Sequence, residues 1–285
     1  DQVSVGYVLV PVVVRTRGGY ANHLKAQDFH LLVDDRPVKI ESFEERAEAP
    51  ASLVFLQDLS GSMETGGKVE ISRQVVSYFL GKALPGDEFA LATFASGQGQ
   101  VEVPFTTDTG TVREAITLWK GYGTTALHDA VAWIPEITME GHNSKRFAIL
   151  VTDGLDNASQ IDPAAAREIV RAAQVPVYVL GLESGNPYEL LATGGKLYRY
   201  ADVLNLLAIA TGGRYYPINH PGDLAKALGD ISADLRHQYV LGFATSGSGA
   251  SAWRKLQVEV RGSSRIILFR HGYKGPPPSG TSRGG

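Results

Sequence analysis

From Leu53 onward the chain alternates between two kinds of segment. Apolar runs, LVFLQ, FALATFA, RFAILVTD and VPVYVLG, are separated by stretches in which apolar residues recur at helical spacing. No other feature constrains the fold as tightly. A short run that is apolar at every position suits a strand covered on both faces, and helices between successive strands supply that cover. The alternation predicts an α/β domain with a doubly wound, mostly parallel sheet and helices on both faces. In KVEISRQVVSYFLGKAL, Val69, Val76, Phe79 and Leu80 form the stripe of a helix. FALATFA and QVEVPF, joined by a Gly/Ser/Gln turn, predict an edge hairpin. Two helices follow near Thr111 to Trp119 and Ala126 to Ile137. Asp162 and Pro163 read as the N-cap and first-turn proline of PAAAREIVRAA, and DVLNLLAIATGG and DLAKALGDISADLRHQ complete the helices.

Both ends read differently. VSVGYVLVPVVV and FHLLVDDRPVKIESF at the start, and QYVLGFA, WRKLQVEVR and SRIILFRHGY at the finish, are strand-like and show no helical period. Neither end has enough strands for a sandwich, which typically needs about seven. The economical reading pairs residues 1–50 with 239–274 in one small β-sandwich-like domain, with an α/β domain over 51–238 inserted between them. The Pro/Gly/Ser-biased GPPPSGTSRGG, 275–285, is expected to be a flexible tail. The length of 285 residues accommodates one large domain and a companion.

The chemistry gathers where the predicted strands stop. In LVFLQDLSGSMET the strand runs into Asp58, Ser60 and Ser62; RFAILVTDG ends in Asp153; between them GYGTTALHDAV offers Thr124 and Thr125 before a helix. Ligands of doubly wound sheets sit beyond the carboxyl ends of the strands. Oxygen-bearing side chains from three loops, with no His or Cys among them, suit a hard cation such as Mg²⁺. Taken singly, each of these residues is equally a helix cap or a turn residue. Cysteine is absent, which removes disulfides and thiolate sites. A net charge of -3 without a basic run argues against nucleic acid as partner. No apolar stretch is long enough for a membrane-spanning helix.

DLSGS, then Gly-Thr-Thr-Ala-Leu, then LVTDG, in that order, resemble the metal-ion-dependent adhesion site of von Willebrand factor A domains, and the surrounding pattern agrees over about Leu53 to Gln238. The resemblance implies that Ser60, Ser62 and Thr125 ligate the metal directly, while Asp58 and Asp153 act largely through bound water. Thr125 rather than Thr124 matches the family's ligand. It further implies Mg²⁺, or Mn²⁺ or Ca²⁺, and a protein partner that completes the shell with an exposed Asp or Glu. The flanks VPVVVRTRGGYANHLKAQDFHLLVDDRPVKI and TGGRYY…LRHQYVLGF…RKLQVEVR are similar to von Willebrand factor A-related proteins of acidobacteria, which implies an extracytoplasmic bacterial setting.

Enzymatic readings fit less well. A haloacid-dehalogenase-type phosphatase needs a second acid where Ser60 stands. A phosphate loop needs lysine where Gly67 stands, and SGSME lacks the glycine pattern of a nucleophile elbow. His128, near the threonine loop, reads as a packing residue. The expectation is therefore an adhesion or protein-binding module rather than an enzyme. The alternatives are an intracellular assembly factor working with an ATPase, or a metal-assisted hydrolase. Partner selectivity is expected from the segment after VPVYVLG, which offers Tyr188, Lys196, Tyr198, Arg199 and Tyr200, and from Tyr122.

Overall fold

The structure, a computed structural model, describes residues 5–45, 49–154, 156–171, 175–182, 190–193, 196–246, 252–262 and 266–278. The chain divides into two compact units, Asp1–Ala47 with Asp234–Gly285, and Glu48–Ala233.

The first unit opens with β1 (Val5–Thr16), β2 (Gly19–Tyr20), β3 (Phe29–Val33), β4 (Arg36–Val38) and β5 (Ser42–Glu45). Asp34 and Asp35 both take positive φ, 50° and 62°, so β3 turns into β4 through a two-residue loop of the primed type that matches strand twist. The second unit holds β6 (Ala51–Asp58), α1 (Lys68–Leu80), β7 (Glu88–Ala95), β8 (Gln98–Thr106), α2 (Thr109–Thr117) and α3 (Leu127–Met139). It continues with β9 (Lys145–Thr152), α4 (Pro163–Val170), β10 (Val177–Leu182), β11 (Leu190–Thr193), β12 (Lys196–Arg199), α5 (Tyr200–Thr211), β13 (Tyr215–Ile218) and α6 (Pro221–Arg236). The chain then returns to the first unit with β14 (Gln238–Ser246), β15 (Trp253–Val260), β16 (Ile266–Phe269) and β17 (Gly272–Lys274).

In the first unit, strands from opposite ends of the chain interleave. One sheet runs β16-β1-β14-β5 and the other β17-β15-β3-β4. β1 pairs antiparallel with β14 from Val5↔Ser246 to Val13↔Gln238, which sends Val8, Val10, Val12 and Val14 to one face. They share a core with Phe29, Leu31 and Val33 of β3, Leu241 and Phe243 of β14, and Leu256 and Val258 of β15. Within this unit, which the chain re-enters at Asp234, Arg15 grips the wholly buried Asp234 with Nε and Nη2 at 2.9 and 2.6 Å, and the Tyr20 hydroxyl donates to the same carboxylate at 2.9 Å. Residues 275–278, the part of 275–285 that the structure describes, make contacts within this unit. The Pro276 carbonyl accepts from the Tyr273 hydroxyl at 2.8 Å, and Pro278 bridges Thr245. Composition hides this, because a proline lacks an N–H but its carbonyl accepts like any other.

The second unit carries one sheet in the order β13-β10-β9-β6-β7-β8, parallel throughout except for β8 at its edge. Every residue of β6, β7 and β10 is buried, as strands covered on both faces must be. The chain builds outward from β6 to β7 and β8, then returns to the other side of β6 with β9 and continues to β10 and β13. The strand order therefore reverses between β6 and β9, and the crevice beyond their carboxyl ends is where such a sheet accepts ligands. Two elements depart from the sequence reading. The segment after β10 contains the hairpin of β11 and β12 rather than a plain loop, and β13 carries Pro217, which an edge strand tolerates and which masks its strand character in sequence.

Candidate functional site

Asp58 is the last residue of β6, and Asp153 follows directly on β9, its parallel neighbour. Adjacency alone thus brings the two carboxylates to one edge. Asp58 then organises its surroundings: one oxygen accepts from the Ser60 amide at 2.9 Å and the other from the Thr152 hydroxyl at 2.6 Å. Ser60 Oγ lies 3.2 Å from Ser62 Oγ, and the Ser62 hydroxyl donates to Asp153 Oδ1 at 3.0 Å. These contacts link the first and third loops.

The threonine loop is stitched to both. The Gly61 amide donates to the Gly123 carbonyl at 3.0 Å, and the Tyr122 amide to the Leu59 carbonyl at 2.8 Å. A Cβ on Gly61 would stand 3.1 Å from the Gly123 oxygen, so a side chain there would press the two loops apart by a few tenths of an ångström. On the other side the Thr125 amide donates to Asn157 Oδ1 at 2.9 Å, and the Thr125 carbonyl accepts from the amides of Asn157 and Ala158. Asp58, Ser60, Thr125 and Asp153 are all buried, and Ser62 is partly buried. The structure thus links Ser60, Ser62 and Asp153 through their side chains and Asp58 to Ser60 through its amide, and it ties the loop that carries Thr125 to the first and third loops.

The capping alternative does not survive. Ser60 stands before a short 3-10 turn without making a side-chain capping bond; α1 is preceded by Gly67, and α3 by Ala126. The free amides of α3 are instead served by the third loop, where the Ser159 hydroxyl and the Asp156 carboxylate accept from the His128 amide at 2.9 and 3.0 Å. His128 is buried, with Nδ1 3.4 Å from Asp156. Asp156, Asn157, Ser159 and Thr152 escaped the sequence reading. Each is an ordinary loop residue type whose role depends on a partner far along the chain.

Burial raises the pKa of Asp58 to about 6, against the lowering effect of the bonds from Ser60 and Thr152, and the charge of Asp153 adds to the rise. Tyr200, buried beneath the cluster, is pushed well above the ordinary tyrosine range by burial first and then by the charge of Asp58. A selectivity role for Tyr200 on a surface loop is thereby corrected. It is the first residue of α5, and its ring packs so closely on Gly154 that a Cβ there would lie 1.6 Å from it. Tyr122 is exposed beside the threonine loop. Tyr188 lies outside the described residues; Lys196, Tyr198 and Arg199 fall on β12, whose side chains lie outside them as well.

Whether these donors suit a small hard cation can be judged from their spacing. Oxygens that share an octahedral shell at the ~2.0–2.1 Å distance of Mg²⁺ stand roughly 3 Å apart. The Ser60–Ser62 hydroxyl separation of 3.2 Å is close to that edge. Uncapped hydroxyls beside two carboxylates are also the right chemistry. The residues present fit the ion.

Residues 53–155 match the model of the von Willebrand factor type A domain. A protein of Borreliella burgdorferi described as uncharacterized is 24% identical over 65% of this chain and 58% of its own length, so the chain spans less than two thirds of that relative. Among solved structures, a von Willebrand factor type A protein from Catenulispora acidiphila superposes with a TM-score of 0.54 at 14% identity, over 99% of this chain and 76% of that one. The conserved hypothetical protein BatB of Bacteroides thetaiotaomicron does so at 0.52 and 18% identity, over 65% of this chain and 97% of its own. At such identities the likeness is one of fold.

Proposed function

The α/β unit is a von Willebrand factor type A domain, and on that premise we propose that this protein is a binding module rather than an enzyme. Its three loops hold a divalent cation, Mg²⁺ by preference, and present it to an acidic residue of a protein partner. Ser60, Ser62 and Thr125 would hold the ion, with Asp58 and Asp153 behind them. A bound divalent cation supplies an electrophilic position that an external carboxylate can fill. The observation that carries this reading is the pair of serine hydroxyls, free of any capping duty and spaced at 3.2 Å beside Asp153.

The surroundings favour a macromolecular partner. A groove of about 530 Å³ adjoins the first two loops through Leu59 and Tyr122, and Leu118 and Tyr122 on its wall are strongly exposed. An acidic residue followed by an apolar one would engage the cation and the groove together, and Tyr122 would contribute to the choice of partner. Tyr188, Lys196, Tyr198 and Arg199 remain part of the same proposal. So does an extracytoplasmic location; no helix among the described residues is long and apolar enough to cross a membrane.

Calorimetric titration of Mg²⁺ into the intact protein tests the site: binding is expected, and Asp58→Ala or Thr125→Ala should abolish or greatly weaken it without unfolding the chain. Equal affinity in the intact protein and Asp58→Ala would sink the assignment. An array of peptides carrying Asp or Glu, each beside its Asn or Gln counterpart, tests the partner chemistry. Acidic peptides should be retained in Mg²⁺ and released by chelator. Retention that ignores both the acid and the chelator would mean that the cation plays no part in recognition.

A further inference from the structure

Lys68 is the first residue of α1, where a cation meets the electropositive end of the helix dipole and is disfavoured. It is also nearly buried, which lysine seldom is unless paired. Two glycines before it, Gly66 and Gly67, both at positive φ (67° and 71°), turn the chain so that the lysine reaches back over the first loop. Its Nζ donates to Asp153 Oδ2 at 2.6 Å and to the Ser62 carbonyl at 3.2 Å. The other oxygen of Asp153 holds the Ser62 hydroxyl. The lysine thus does part of what a divalent ion would do: it neutralises Asp153 and ties the first loop to the third.

We infer that Lys68 is an internal cation that competes with the divalent ion for Asp153, so that the loops are latched by the ammonium when the site is unloaded and the latch must yield when it is loaded. The inference rests on the metal-binding reading above. An ion held by Ser62 Oγ would have the ammonium as a near neighbour, since both would share Ser62 and Asp153, and like charges at such range repel strongly in a buried setting. Lys68 therefore keeps the ion affinity low while preserving the shape of the unloaded loops. A partner's carboxylate, by adding negative charge, shifts the balance towards the ion, so ion and partner are bound together rather than in sequence.

The test compares the intact protein with Lys68→Met, which keeps the length and apolar stem but removes the charge. Mg²⁺ titration should show about ten-fold or greater tightening in the variant. In chelator the variant should melt earlier than the intact protein and recover when Mg²⁺ is added. Mg²⁺ binding by both proteins with equal affinity, or weaker binding by the variant, would overturn the competition while leaving the metal reading in place. Binding by neither would refute the metal reading, and the competition with it. If the variant does not fold in chelator, the intact protein decides. The Lys68 ammonium resonance in ¹⁵N-detected spectra should shift as Mg²⁺ is added, and should stay fixed when the same ion is added to Asp58→Ala. A resonance in the intact protein that ignores saturating Mg²⁺ overturns the inference.

Discussion

Asp58 is wholly buried, yet both of its oxygens have protein donors, the Ser60 amide and the Thr152 hydroxyl. Burial wins over those bonds, and its pKa rises from 3.8 to about 6. An acid raised in the folded state holds its proton more tightly there than in the unfolded chain. Its contribution to stability is therefore fully favourable below pH 3.8, where both states are protonated. The contribution declines as pH climbs through the window up to about 6, and a fixed penalty remains above it. A bound cation favours the carboxylate and removes that penalty. In chelator, then, Asp58→Asn is expected to be the more stable protein at pH 7, by roughly 1–3 kcal/mol, and to lose the advantage near pH 4. Urea unfolding at the two pH values checks this, and a more stable parent at pH 7 would show that the buried charge is compensated from within. Lys68, close by on Asp153, is the group that would do so.

At the scale of elements, the site depends on how β9 hands over to the loop that follows. Gly154 takes φ of 93° and lies against the Tyr200 ring at the start of α5. Gly154→Ala must both adopt a strained backbone and displace that ring, which should cost about 3 kcal/mol or more. In a Tyr200→Leu background the same change should cost clearly less, because the backbone strain would remain but most of the clash would not. Thermal melts of the four proteins close the cycle, and a coupling near zero would mean that the ring does not dictate the glycine. The sequence revealed the strand ends carrying Asp58 and Asp153, because an apolar run stopped by an acid is a local signal. It also revealed the Asp162 cap, whose carboxylate accepts from the Ala165 amide at 2.8 Å. It could not show that Tyr200 turns inward, since that depends on where α5 begins, after a hairpin that carries no strong periodicity. Lys68 was equally hidden, as its partner Asp153 lies 85 residues away.

At the scale of the whole molecule, the two units differ in how the chain builds them. The α/β unit is one continuous segment, whereas β1 is flanked by β14 on one side and β16 on the other, both contributed by the far end of the chain. Strand-like composition at both ends suggested such a partnership, but the register, Val12 opposite both Tyr239 and Phe269, was beyond what composition can give. Continuity has a consequence for folding. A fragment of residues 48–236, which keeps α6 intact, contains every residue of the site and every strand of its sheet, so it is expected to fold and to bind Mg²⁺ within about three-fold of the full chain. A chain lacking residues 238–285 should behave differently. Its α/β unit would still fold, but β1 would expose both edges and its apolar face, Val8, Val10, Val12 and Val14, with no partner strand. Unpaired edges of that kind drive association, so this truncation should form aggregates that the 48–236 fragment does not. Light scattering together with Mg²⁺ titration on the two fragments separates the cases. If the truncated chain stays monomeric, residues 5–45 pair by themselves and the two ends are not interdependent. If the 48–236 fragment folds but fails to bind Mg²⁺, the β-unit contributes to the site through something other than the three loops.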